Sequence, residues 1–104
     1  MDDVRRLRVG EDATRVSLDD LAREGARRMI AAALKAEADE YVASFVDELD
    51  EHGKRLVVRN GHARERRVTI GSGTVAIRAP RVNDKRVDEE TGERKRFSSE
   101  ILPA

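Results

Sequence analysis

From Leu18 to Leu49 the apolar residues come in adjacent pairs: Leu21/Ala22, Gly25/Ala26, Met29/Ile30, Ala33/Leu34, Tyr41/Val42 and Phe45/Val46, closed by Leu49. Pairs recurring every four residues, many strong helix formers and no proline predict a helix over 17–51. Ser17 is its expected N-cap, in a capping-box-like "SLDD" start with Asp20 three residues on. Asp19 and Asp20 also suit the positive end of the helix dipole. A step of four residues overshoots a 3.6-residue turn by about 40°, so the apolar stripe winds around the helix as it advances. A straight helix cannot press all of such a stripe against one flat partner. Either the helix bends or breaks, at Gly25 or in "KAEADE", or its partner winds with it; a second copy of the chain is one such partner.

After "DEHGK" the period changes from about four to two. Leu56, Val57 and Val58 form a short β-prone run that ends at Asn60-Gly61, a strong hairpin signal. Val68 and Ile70 alternate with Arg67 and Thr69, "GSG" (71–73) turns the chain, and Val75 and Ile77 alternate with Thr74, Ala76 and Arg78. Val68, Ile70, Val75 and Ile77 are expected on one face of a two- or three-stranded ribbon, with Arg67, Thr69 and Arg78 on the other. Gly61 and Gly73 are expected to take positive φ in tight turns, and Pro80 to end the last strand. An isolated ribbon is marginal in water, so its apolar face should lie on the helix. The expected fold is α+β: one long or broken N-terminal helix, a small antiparallel β-ribbon and an extended tail. Its parts are a flexible arm (1–16), an acidic amphipathic helix (17–51), a basic ribbon (54–82) and a turn-rich tail (83–104) with turns at Asn83-Asp84 and Thr91-Gly92.

Charge changes this picture. The 104 residues carry no formal net charge, although 40% of them are charged. Residues 17–51 hold four basic and ten acidic side chains, and residues 54–86 hold ten basic against Glu65 and Asp84. Glu37 to Glu51 alone contains seven acids and no base, which opposes the dipole at a helix C-terminus. A nearby basic element would relieve that cost; a solvated acidic face is the alternative. The basic half therefore has two prospects: a polyanion, or the acidic half of this chain or of a second copy.

Catalytic sets are absent from this pattern. "IGSGT" lacks the lysine and the following helix of a phosphate loop, and two histidines, His52 and His62, with no cysteine make a zinc site implausible. No stretch approaches the length of a membrane span and the N-terminus has no apolar core of a signal peptide, so a cytoplasmic location and no membrane partner are expected. The arginine-bearing ribbon is the one functional signal, since arginine suits bidentate contact with phosphate.

The ordered string "LVVRNGHARERRVTIGSGTVAIRAPRVNDKRVDEETGERKRFSSEILP" resembles the N-terminal region of Mutator-type bacterial insertion-sequence transposases. The shared features are the "RNG" element followed by an arginine, the "TIGSGTVAIRAPR" ribbon and the acidic passage leading to "FSSEILP". Upstream, "LDDLAREGARRMIAAALKAEADEYV" is similar to the family's helix. The resemblance spans residues 17–103, with His62 where the family commonly has an aromatic residue. It implies a nucleoid-associated bacterial protein whose N-terminal region recognises the element's terminal inverted repeats. Catalysis would lie downstream, in a ribonuclease-H-like domain whose Asp, Asp and Glu hold divalent metal, magnesium for the full-length family.

The sequence stops at Pro103-Ala104, where the resemblance implies that the family continues into that domain. A truncated, DNA-binding fragment is therefore expected, which is not an enzyme by itself and has no catalytic residue, metal ligand or cofactor of its own. The candidate DNA-binding residues are Arg59, Asn60, Arg64, Arg66, Arg67, Arg78, Arg81, Lys85 and Arg86. Of these, Arg59, Arg64, Arg67, Arg78 and Arg81 are the candidates for phosphate. The expected partners are DNA and a second copy or a full-length transposase. The alternative function is a helix-mediated oligomerisation module, or a regulator that competes with the full-length enzyme without binding DNA itself.

Overall fold

The computed structural model describes residues 11–103. Helix α1 runs over Glu11–Ser44 and is followed by strands β1 (Val57–His62), β2 (Arg66–Ile70), β3 (Gly73–Ile77) and β4 (Pro80–Asp84). The α+β order read from the sequence is the observed one, with different boundaries. Of the expected arm, residues 1–10 lie outside the described ones and 11–16 are helical. Ser17 is thus interior rather than an N-cap: "EDATRV" contains no breaker, and its leading acids suit a helix start as well as "SLDD" does. The helix ends at Ser44 rather than at 51. Extending it would stack Asp47, Glu48, Asp50 and Glu51 on the negative end of the dipole. Instead the chain turns, and the Asp50 carboxylate accepts the amides of His52 (2.8 Å) and Lys54 (2.9 Å).

β1 pairs with β4 and β2 with β3, both antiparallel. Because the Ala63 amide also donates to Ala79 O at 2.8 Å, the four strands form one long hairpin that is interrupted midway. The register shows why. Arg59 faces Val82, His62 faces Pro80 and Arg66 faces Ile77. Between these pairs, Asn60 and Gly61 oppose Arg81 alone, and residues 63–65 oppose only Arg78 and Ala79. Two extra residues on one strand bend a ribbon and increase its twist. Asn60-Gly61 is therefore a bulge and not a hairpin turn: the positive φ that glycine supplies (66° at Gly61) serves either purpose. The hairpin closes through Gly71-Ser72 into Gly73, whose φ is 124°. A Cβ on Gly73 would also sit 2.9 Å from Arg23 Cδ, but that flexible side chain can shift, so it is the conformation that requires glycine there.

The core lies between α1 and the ribbon. Leu34, Val75 and Ile77 are buried, with Ile30, Val68, Ile70, Ala79 and Leu102 packed around them, and Ala38 and Val57 are fully enclosed nearby. Burial of Val75 and Ile77 against the helix fits the alternation read from the sequence. The helix runs unbroken through Gly25 and residues 35–40, so the break offered as one answer to the winding stripe is absent. Leu34 lies about 160° around the helix from Leu18, and the ribbon covers only the later part of the stripe. Leu18, Leu21 and Met29 stay 60%, 67% and 73% exposed.

Asn83-Asp84 is not a turn. Both residues belong to β4, and Asp84 is 4% exposed. The Thr91-Gly92 turn is present, with the Gly92 amide donating to Asp88 O at 2.8 Å and a φ of 74°. It returns the chain so that Val87 bridges Arg94.

Candidate nucleic-acid interface

Strand alternation sorts the basic residues into two groups. Val57 and Asp84 face each other on the helix side of the ribbon, as do Arg59 and Val82. Arg59 therefore points at α1, where its Nη1 donates to Asp39 Oδ1 at 2.6 Å. Asp39 also accepts Lys35 Nζ at 2.6 Å, and these hydrogen bonds, Lys35 first and Arg59 second, hold its carboxyl below the usual range. Arg59 was a candidate for phosphate. Any phosphate meeting it must displace this carboxylate.

Arg86 is held more tightly still, with its side chain 12% exposed. Its Nε and Nη2 donate to the two carboxylate oxygens of Asp84 at 3.0 and 2.9 Å, and Nη2 also donates to the Tyr41 hydroxyl at 3.0 Å. The Tyr41 hydroxyl in turn donates to Asp84 Oδ2 at 2.5 Å. The guanidinium carbon sits 3.5 Å from the Phe45 ring centroid, a cation–π distance. Tyr41 lies between Phe45 (5.1 Å) and Phe97 (4.9 Å), so the three aromatic residues of the chain close over one ion pair. Burial alone would raise the Asp84 carboxyl; the hydrogen bonds from Arg86 and Tyr41 prevail and hold it at about 2. Burial, and then the facing Asp84 carboxylate, push the Tyr41 phenol up. Glu48 lies 3.7 Å from Arg86 Nη1. The basic ribbon thus does relieve the acidic helix end, at Asp39 and Glu48, while Glu40, Asp47 and Glu51 remain exposed. Sequence reasoning missed this cluster, because no periodicity links Tyr41 to Asp84 and Arg86.

The other group faces solvent. Arg67, opposite Ala76, stands on the face away from the buried Val75 and Ile77. Arg81 and Lys85 alternate with the buried Asp84 side of β4 and are exposed, as are Arg64 and Arg78. Arg78 donates from Nε to Ala63 O at 3.3 Å across the interruption in the ribbon. Arg66, also exposed, donates from Nη1 to Pro103 O at 3.0 Å. Asn60 is exposed in the first bulge. Arg64, Arg67, Arg78, Arg81 and Lys85 have no carboxylate within ion-pair distance among the described residues.

The model of the family described as "Transposase, Mutator family" matches residues 3–100. The chain belongs to that family. The match covers helix, ribbon and most of the tail, so the membership assigns these residues a role related to transposition. A comparison with curated proteins and one with solved structures each return no match. In this Mutator-family chain the tail is pinned back onto the helix. Glu37 accepts the Ser99 hydroxyl at 2.5 Å and the Glu100 amide at 2.8 Å. The Ser99 bond is the main reason that the Glu37 carboxyl is lowered. Among the described residues no three of His, Asp or Glu converge to hold a metal ion. No described helix is long and apolar enough to cross a membrane.

Proposed function

We propose that this chain is a DNA-binding N-terminal segment of a Mutator-type transposase, and that the solvent face of its ribbon engages the element's terminal inverted repeats. The observation that carries the reading is the set Arg64, Arg67, Arg78, Arg81 and Lys85. Five cations along the ribbon have no carboxylate within ion-pair distance among the described residues, in a chain whose total charge is zero. From Arg78 to Lys85 an extended strand spans about 23 Å, roughly two-thirds of a turn of B-DNA. A two-stranded ribbon is also narrow enough for the major groove. Binding, and not strand transfer, is the activity assigned to these residues.

Fluorescence anisotropy with labelled duplex DNA tests the reading. With about four phosphates contacted, the affinity should fall roughly 150-fold between 50 and 200 mM salt. A folded chain that binds no duplex at low salt overturns it.

A second reading rests on Leu18, Leu21 and Met29, which are exposed on one side of α1. It makes the first half of the helix a surface for a second copy or for full-length transposase. Concentration-dependent mass by light scattering supports it, and a monomer at high protein concentration counts against self-association. Unchanged transposition on co-expression with an intact transposase would remove the regulator role.

A further inference from the structure

The two bulges do more than bend the ribbon. Within six residues of one strand they place two side chains clear of the ladder: Asn60, which with Gly61 opposes Arg81, and Arg64, in the three residues that oppose Arg78 and Ala79. Both are exposed. Neither side chain hydrogen-bonds to another described residue, whereas the nearby Arg59, Arg66 and Arg78 each have an intramolecular partner. Bulges characteristically re-aim side chains. Asparagine and arginine are among the side chains whose donor and acceptor geometry fits adenine and guanine bidentately from the major groove. The unbulged β2–β3 portion presents Arg67 with the short Thr69, Thr74 and Ala76, which suits backbone contact better than base reading.

We propose that the bulged middle of the ribbon is the sequence-discriminating element, with Asn60 and Arg64 meeting base edges while Arg67, Arg81 and Lys85 meet phosphates. This rests on the DNA-binding reading above and deepens it. Gly61 belongs to the device through its positive φ, since a Cβ there would meet no atom within 4 Å. Positioning and reading are thus divided between residues of a single ribbon: cations that meet phosphates, and a partnerless pair on its bulged strand.

The experiment is a selection from a random duplex library by the full chain, followed by anisotropy on the selected duplex and on a scrambled one. An Asn60→Ala/Arg64→Ala double variant should fold normally by circular dichroism and lose at least about tenfold of the selected-over-scrambled preference. Its affinity for the scrambled duplex should change far less. An Arg67→Ala/Lys85→Ala double variant should do the opposite, weakening both duplexes equally and keeping the preference. The proposal is overturned if the first variant keeps the preference, or if the native chain binds duplexes but enriches no motif. Failure of the native chain to bind any duplex would instead strike the DNA-binding reading itself.

Discussion

Two sets of arginines sit on one short ribbon and have opposite surroundings. Arg59 and Arg86 face the helix, where Asp39 and Asp84 take their charge. Arg64, Arg67 and Arg81 face solvent with no carboxylate at hand among the described residues. A change of face, which in a strand is a change of one residue, separates an arginine that helps hold the fold from one free to meet a ligand. Counting positive charge along the sequence overstates the solvent-facing basic surface by the arginines that the fold consumes.

Removing a member of the inner set gives the largest expected effect. Arg86→Ala leaves Asp84 buried without its main partner and should cost about 3 kcal/mol or more, read as a lowered urea midpoint. An unchanged midpoint would mean that the cluster is ornamental. Next comes acid. Asp84 is depressed to about 2 from an ordinary value near 3.9, so its contribution is complete above about pH 4 and is lost as pH falls toward 2. That contribution is roughly 2 kcal/mol. Asp84→Asn should flatten this part of the stability profile, although Asp39, Glu37 and Asp50, also lowered, add smaller losses in the same direction. Tyr41→Phe removes the hydroxyl that bridges Asp84 and Arg86 and should cost about 1 kcal/mol in thermal or urea unfolding. Smallest is Arg67→Ala, whose effect on stability should stay within about 0.5 kcal/mol. A cost as large as that of Arg86→Ala would erase the distinction between the two sets.

Local pattern carried much of the architecture. The alternation around Val75 and Ile77, the turn at residues 71–73 and the winding stripe could all be read, because each depends on neighbours a few positions apart. Readings failed where one residue type serves two geometries. Asn60-Gly61 supplies positive φ to a bulge as readily as to a hairpin, and Asn83-Asp84 lies in a strand because Asp84 has a buried partner to meet. The Tyr41–Asp84–Arg86 cluster joins residues more than 40 positions apart, and only the folded hairpin brings them together. For the same reason Arg59 and Arg86 could not be told from Arg67 and Arg81 in advance: the bulges that set which side chain faces the helix leave no periodic mark.

The most direct test of the division is the salt dependence of duplex binding, measured as the slope of log affinity against log salt for the native chain and for an Arg67→Ala/Arg81→Ala variant. Loss of two phosphate contacts should reduce the slope by about 1.8, with stability nearly unchanged. An unchanged slope in a folded variant would contradict the account, because the cations it leaves open to solvent would then not be the ones that meet DNA.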